Sequence, residues 1–357
     1  MNIYMYWLST LYTMGSRKQN LLLRHFKDPR EAFNASNSTL REIPGITENN
    51  IRVIEKNRDK SLLEYGLEML ERMNISYIHL GHDSYPSLLA EITDPPVGLF
   101  CLGKFPSDSS PRVAIIGSRR CSEYGLSTAR RFGSSLARRG VTVVSGMARG
   151  IDSMAHRGAV ESGHTIAVLG CGVDICYPPE NTALRDQIAK DGCIISEYPL
   201  GVGPMSAHFP ARNRIISGLS HIVVVVEAGK KSGTLITVDQ ALEQGRDIMS
   251  VPGNITNKYS EGTNNLIKQG AEPACHYEDI LNALGLVSQT RKTKKLDGPD
   301  VATEEKLVYD VLDFEPYSLE EIVIKTKSQP QTIQYILTVL ELKGYVRKLP
   351  GARYVKV

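Results

Sequence analysis

The chain of 357 residues is poor in the patterns that mark metal sites, secretion or a uniformly cationic surface. Its six cysteines include no Cys-x-x-Cys pair. Cys171 and Cys176 stand too far apart for a usual zinc knuckle, so free thiols in a reducing cytoplasm are expected. Met1 to Tyr12 has no basic n-region, and no A-x-A site follows, so no secretory signal is expected. No apolar run approaches the ~20 residues of a membrane span. Forty-two Lys and Arg against 39 Asp and Glu leave a net charge of only +3. Any nucleic-acid footprint must therefore be a local patch. Two nucleotide motifs are missing as well. Gly117-Ser118-Arg119-Arg120-Cys121-Ser122 lacks the spacing G-x-G-x-x-G, and Gly229-Lys230-Lys231-Ser232-Gly233 does not supply G-x-x-x-x-G-K-[ST]. No cofactor is expected.

What is present is a repeated grammar of strand, polar loop and helix. A hydrophobic share of 41% can bury a sizeable core, and the length suggests two or three domains. Five apolar residues, Ile222 to Val226, read as a strand buried on both faces. Glu227-Ala228-Gly229-Lys230-Lys231-Ser232-Gly233 follows and leads into a helix starting near Ser232. Upstream, Val113–Ile116 runs into Gly117-Ser118-Arg119, and Val141–Val144 into Ser145-Gly146-Met147-Ala148-Arg149. Thr165–Leu169 runs into Gly170-Cys171-Gly172, and Cys193–Ile195 into Ser196-Glu197-Tyr198. Asp247–Val251 runs into Pro252-Gly253-Asn254. Such alternation predicts an α/β fold, a Rossmann-like, doubly wound, mainly parallel sheet. Ligands of such sheets bind outside the carboxyl ends of the strands.

Those ends gather Gly, Ser and Arg. Backbone N–H groups, a helix dipole and cations on one such edge suit a phosphate-bearing ligand. Arg119 offers a guanidinium that forks onto two phosphate oxygens, or else a structural ion pair. Ser118 offers a hydroxyl and an N–H in the same turn. Arg149 closes the second loop, and Asp152 is placed to cap the next helix. Arg212 and Arg214 bracket Asn213, and alternating side chains would turn one arginine to phosphate and the other to a carboxylate such as Glu227. Lys231, Ser232, Gly233 and Thr234 form the cradle at the helix start. Phe209 is either a core aromatic or a platform on which a base stacks. His156 and His208 read as packing or hydrogen-bonding residues, and Glu197 and Tyr198 as shapers of a strand end.

Three regions flank one another. Residues 1–75 read as a helical domain resembling SAM or helix-hairpin-helix modules, with a turn at Leu40–Ile46. That turn either packs or presents N–H groups to a DNA backbone. Residues 76–287 form the central domain. A polar, basic linker over 288–300 carries Arg291, Lys292, Lys294 and Lys295. Residues 301–357 read as three helices and a hairpin, the outline of a winged helix. Ser318 with Glu321 predicts a capping box, and Gly344 a helix stop. Its apolar set is Leu307, Val311, Leu312, Leu319, Ile322, Val323, Ile333, Ile336, Leu337, Leu340 and Val346. The third helix holds few cations, so the module binds either DNA or protein.

Six stretches together resemble one family. They are Gly117–Gly125 (GSRRCSEYG), Ser145–His156 (SGMARGIDSMAH), Tyr177–Asn181 (YPPEN), Ser196–Gly201 (SEYPLG), Phe209–Ser220 (FPARNRIISGLS) and Glu227–Gly253. In this order they resemble the DNA-processing protein A family, also called DprA or Smf, across roughly 76–285. The resemblance implies a cytoplasmic protein of natural transformation that holds single-stranded DNA. It also implies a homodimer that brings the RecA recombinase to the strand, with single-strand-binding protein as a further partner. On these motifs the DNA-binding set is Gly117, Ser118, Arg119, Arg149, Phe209, Arg212, Asn213, Arg214, Lys231, Ser232, Gly233 and Thr234. Two departures stand out. Cys171 lies where Gly-Ser-Gly is usual, and Val238-Asp239 lies where Ala-Arg is common, which removes a cation. The alternative is a nucleotide phosphoribohydrolase of the LOG or lysine-decarboxylase-like group, whose PGGxGTxxE pattern Ala228–Thr234 resembles. The catalytic Glu of that pattern falls at Thr237, and a hydroxyl cannot replace a carboxylate as a base. The expectation is therefore binding without catalysis.

Overall fold

A computed structural model describes residues 2–286, 303–313 and 316–356. The linker expected over 288–300, its four cations, and the boundary at 301 lie outside the described residues. One compact unit holds the N-terminal helices and a nine-stranded sheet, and a second holds the C-terminal module.

The strands are β1 (Ile75–His79), β2 (Gly98–Gly103), β3 (Arg112–Ile116), β4 (Thr142–Ser145), β5 (Thr165–Val168), β6 (Cys193–Ser196), β7 (Ile222–Val225), β8 (Asp247–Ser250) and β9 (Glu272–Pro273). Their order is β1-β2-β6-β5-β4-β3-β7-β8-β9. From β6 through β9 every neighbouring pair is parallel, and β1 and β2 add an antiparallel border. The fold is thus Rossmann-like and mainly parallel. β7 lies between β3 and β8, with Ile116 opposite Val225. All four of its residues are buried, as the unbroken β-branched run requires.

The chain winds outward from β3 through β4, β5 and β6, then returns to the other side of β3 as β7 and β8. The winding direction reverses at β3 and β7, so their carboxyl ends open a crevice. Gly117–Arg119 leaves one of these ends and Glu227–Gly233 the other.

The N-terminal helices pack on one sheet face. Trp7, Leu8, Leu11, Leu22 and Leu40 share an apolar cluster with Phe100, Ala167 and Ile194. Within the Leu40–Ile46 turn, Leu40 and Ile43 are buried, and the Gly45 carbonyl accepts from Lys18 Nζ. The turn is packed into its own unit.

The C-terminal unit has helices Thr303–Val311, Leu319–Thr326 and Pro330–Leu342, and strands β10 (Tyr317–Ser318), β11 (Val346–Leu349) and β12 (Arg353–Lys356). β12 pairs with both others, giving a winged helix. The capping box forms: Ser318 Oγ accepts from Glu321 N at 3.2 Å, and Ser318 N donates to Glu321 Oε2 at 2.7 Å. Gly344 sits at φ +77°, the left-handed stop of the third helix. The core gathers Val308, Leu312, Ile322, Ile333, Ile336, Leu337, Leu340 and Val346. Leu319 and Val323 pack at its edge, whereas Leu307 is exposed and Val311 stands outside the core.

Candidate nucleic-acid interface

A cavity of about 630 Å³ opens at the crevice. Its walls include Gly117, Arg119, Asp152, Phe209, Ser232 and Thr234. Gly117 is required by close approach, since a Cβ there would stand 2.6 Å from Ile151 Cγ1 and 3.0 Å from Glu227 O. The next residue ties the two loops together, because Ser118 N donates to Glu227 O at 2.8 Å. This corrects the expectation that the Ser118 N–H is open to a ligand. Its hydroxyl lies 3.5 Å from that of Ser232. Ser232 Oγ in turn donates to Thr234 Oγ1 at 2.9 Å and accepts from Thr234 N at 3.3 Å. The following helix, Thr234–Glu243, turns its N-terminus toward this cluster. Gly233 lies on the cavity wall and is exposed.

The segment from His208 to Gly218 is a helix, which corrects the reading of alternating side chains. Residues two apart on a helix point in nearly opposite directions. Arg212 turns inward to the loop ends. Its Nη1 donates to Gly146 O at 2.9 Å and also to Val168 O. It lies beside the buried Asp152, and a Cβ on Gly146 would fall 2.6 Å from Arg212 Nη2 and 2.8 Å from Asp152 Oδ2. Burial pushes the Asp152 carboxyl up to about 6, against the opposing pull of Arg212. Burial likewise brings the Arg212 guanidinium down to about 10, with Asp152 countering. Asp152 is not a cap. Gly150 holds that position, and the Asp152 carboxylate accepts from Ala148 N at 3.4 Å.

Arg214 turns the other way. It pairs with Glu197 at 2.6 Å and Asp94 at 3.4 Å, so its partner is not Glu227. It is buried and lines a second cavity, of about 490 Å³, together with Tyr12, Arg17 and Tyr198. The phosphate role expected of Arg214 is therefore corrected to a structural one. Glu197 shapes the strand end by holding it.

Arg119 is exposed on the cavity wall, with its Cζ 5.4 Å from the Phe209 ring centroid. Phe209 is half-buried. Asn213 reaches the wall and accepts from Arg212 Nε at 3.3 Å. Arg149 is exposed and paired with Glu180, and it borders a small recess shared with Arg119 and Tyr177. Such an exposed pair contributes little and yields easily to a phosphate. Lys231 is exposed on the loop just before Ser232. His156 is buried, with Nδ1 2.8 Å from Thr165 Oγ1, and burial pushes it down to about 3. His208 stacks on Tyr198 at 4.1 Å. Thr237 is buried on the cavity wall.

Tyr177 lines the cavity and was not among the expected residues. The only signal for it was its place in the Tyr177–Asn181 stretch. Among the described residues no helix is long and apolar enough to cross a membrane, and no group of three acidic, Cys or His side chains is placed to hold a metal ion.

The model of the family described as DNA recombination-mediator protein A matches residues 76–285. The chain belongs to this family. The model of the DprA winged helix domain matches residues 292–352. Protein Smf of Synechocystis is 35% identical, over 98% of this chain and 98% of its own. The X-ray structure of DNA processing protein A from Streptococcus pneumoniae superposes with a TM-score of 0.68 at 34% identity. That likeness covers 79% of this chain and 98% of the pneumococcal one. A family structure from Helicobacter pylori, described for its single-stranded DNA binding mode, aligns with a TM-score of 0.54 at 30% identity. It covers 59% of this chain and 96% of that one.

Proposed function

We propose that this chain binds single-stranded DNA in the cavity at the β3 and β7 ends, as a homodimer of the cytoplasm, and brings the RecA recombinase to the strand. The observation that carries this reading is the wall itself. Exposed Arg119 stands against an aromatic ring, and a hydroxyl-lined helix start lies on the same rim. Cations and hydroxyls serve the phosphates, and a ring serves unpaired bases regardless of sequence. The family match and the relative described as binding single strands support it further. RecA, the dimer and a role for single-strand-binding protein rest on the family resemblance alone.

Binding without catalysis is part of the proposal. The cavity presents Thr237 where a phosphoribohydrolase needs its carboxylate. The test has three parts. Labelled single strands should bind in anisotropy titrations. Nucleoside monophosphates and ATP should release no base or phosphate above a Lys231→Ala control. RecA filaments should form faster on strands covered by single-strand-binding protein when the chain is added. Absence of strand binding overturns the reading. Release of base or phosphate overturns the non-catalytic part, and a lack of stimulation the loading part.

A further inference from the structure

The sequence offers Phe209 as the stacking ring, but its neighbours already occupy it. Arg119 Cζ stands 5.4 Å from its centroid. The Tyr177 ring lies 5.4 Å away, tilted by 31°. A Cβ on Gly170 would lie 3.1 Å from Phe209 Cδ1, so the ring also rests on that loop. Tyr177 differs. It is 37% exposed, lines the main cavity, and borders the recess next to Arg149. Its ring packs on Phe209 and still leaves part of its surface open at the cavity.

We propose that Tyr177 is the ring on which a base of the bound strand stacks, and that Phe209 backs it. This rests on the single-strand reading above. A ring braced by a second ring loses little freedom when a base arrives, so more of the stacking gain appears as affinity. Arg119 and Arg149 border the same recess, within reach of the phosphates that flank such a base. Stacking of this kind would accept any base, because every base has a face to offer.

The experiment uses the full chain and two labelled probes of equal length, an oligo-dT strand and a base-free deoxyribose-phosphate strand. Tyr177→Leu keeps an apolar side chain but removes the ring. It should weaken the oligo-dT complex about ten-fold, the effect of one stacked base at roughly 1.4 kcal/mol. The base-free complex should change by less than about two-fold, because only phosphate contacts hold it. Tyr177→Phe keeps the ring and should match the parent chain on both probes. No loss with Tyr177→Leu, or equal losses on both probes, overturns the role of Tyr177. If the parent chain binds neither probe, the single-strand reading itself fails. If the parent binds both and Arg119→Ala weakens both while Tyr177→Leu weakens neither, only the tyrosine's role fails.

Discussion

Arg119 and Arg212 share a cavity wall but differ in what their N–H groups do. Arg212 is buried and donates to Gly146 O and Val168 O, so it builds the wall. Arg119 is exposed and available to a phosphate. Arg119→Ala should cost about 1.5–3 kcal/mol of strand affinity, roughly ten- to a hundred-fold in Kd, with the melting temperature unchanged. Anisotropy titration with a thermal melt checks both parts. Asp152 gives a second outcome at this scale. Its carboxyl titrates at about 6, so below that pH it takes a proton and loses its negative charge. The cavity then gains one unit of positive charge, and strand affinity should rise as pH falls from 7 to 5. Asp152→Asn should bind more tightly at pH 7 and flatten its share of that rise. An unchanged pH profile in the variant would remove Asp152 from the account. Arg119, Arg149 and the Ser232–Thr234 turn were legible in the sequence as positions in the loops that follow β3, β4 and β7. Phe209 stands on a helix well past β6 and was singled out by its place beside the arginines. Arg212 and Arg214 were expected to part ways, one to phosphate and one to a carboxylate such as Glu227. They do part, but on a helix, with Arg212 on the Gly146 and Val168 carbonyls and Arg214 on Glu197 and Asp94. Tyr177 was passed over because nothing local distinguishes an exposed tyrosine from a packed one.

At the scale of elements, parallel strands β3 to β8 were legible because their apolar runs are short and end in polar loops, most of them Gly-bearing; β9, Glu272–Pro273, offers no such run. β1 and β2 were not legible either. β2 reads Gly-Leu-Phe-Cys-Leu-Gly, which shows no alternation, and β1, Ile-Ser-Tyr-Ile-His, alternates only over its first three residues. The winged helix was legible from its capping box and its stop glycine, both local signals. It closes its own core around Ile322, Ile333, Leu337 and Leu340. A chain ended after Val287 should therefore keep its fold, since the cavity residues all precede that point. Strand affinity should stay within about two-fold of the full chain, and the salt slope should change little, because the third helix holds no cation between Pro330 and Leu342. Circular dichroism and titration against oligo-dT check this. Loss of binding in a folded truncated chain would make the tail a primary DNA contact.

At the scale of the whole molecule, the net charge of +3 is too small to hold a polyanion by general attraction. The proposed binding rests instead on specific placement: a few cations at the crevice where the sheet reverses direction, next to rings that only unpaired bases can use. Bases in a duplex are already stacked on one another and gain nothing from a ring such as Tyr177. The most direct measurement is a titration of a labelled single strand and its matching duplex across a series of salt concentrations. The account predicts tighter binding of the single strand at every salt concentration. It also predicts that log K falls linearly with log salt, with a slope set by a handful of neutralised phosphates. Equal affinity for strand and duplex, or affinity indifferent to salt, would contradict it.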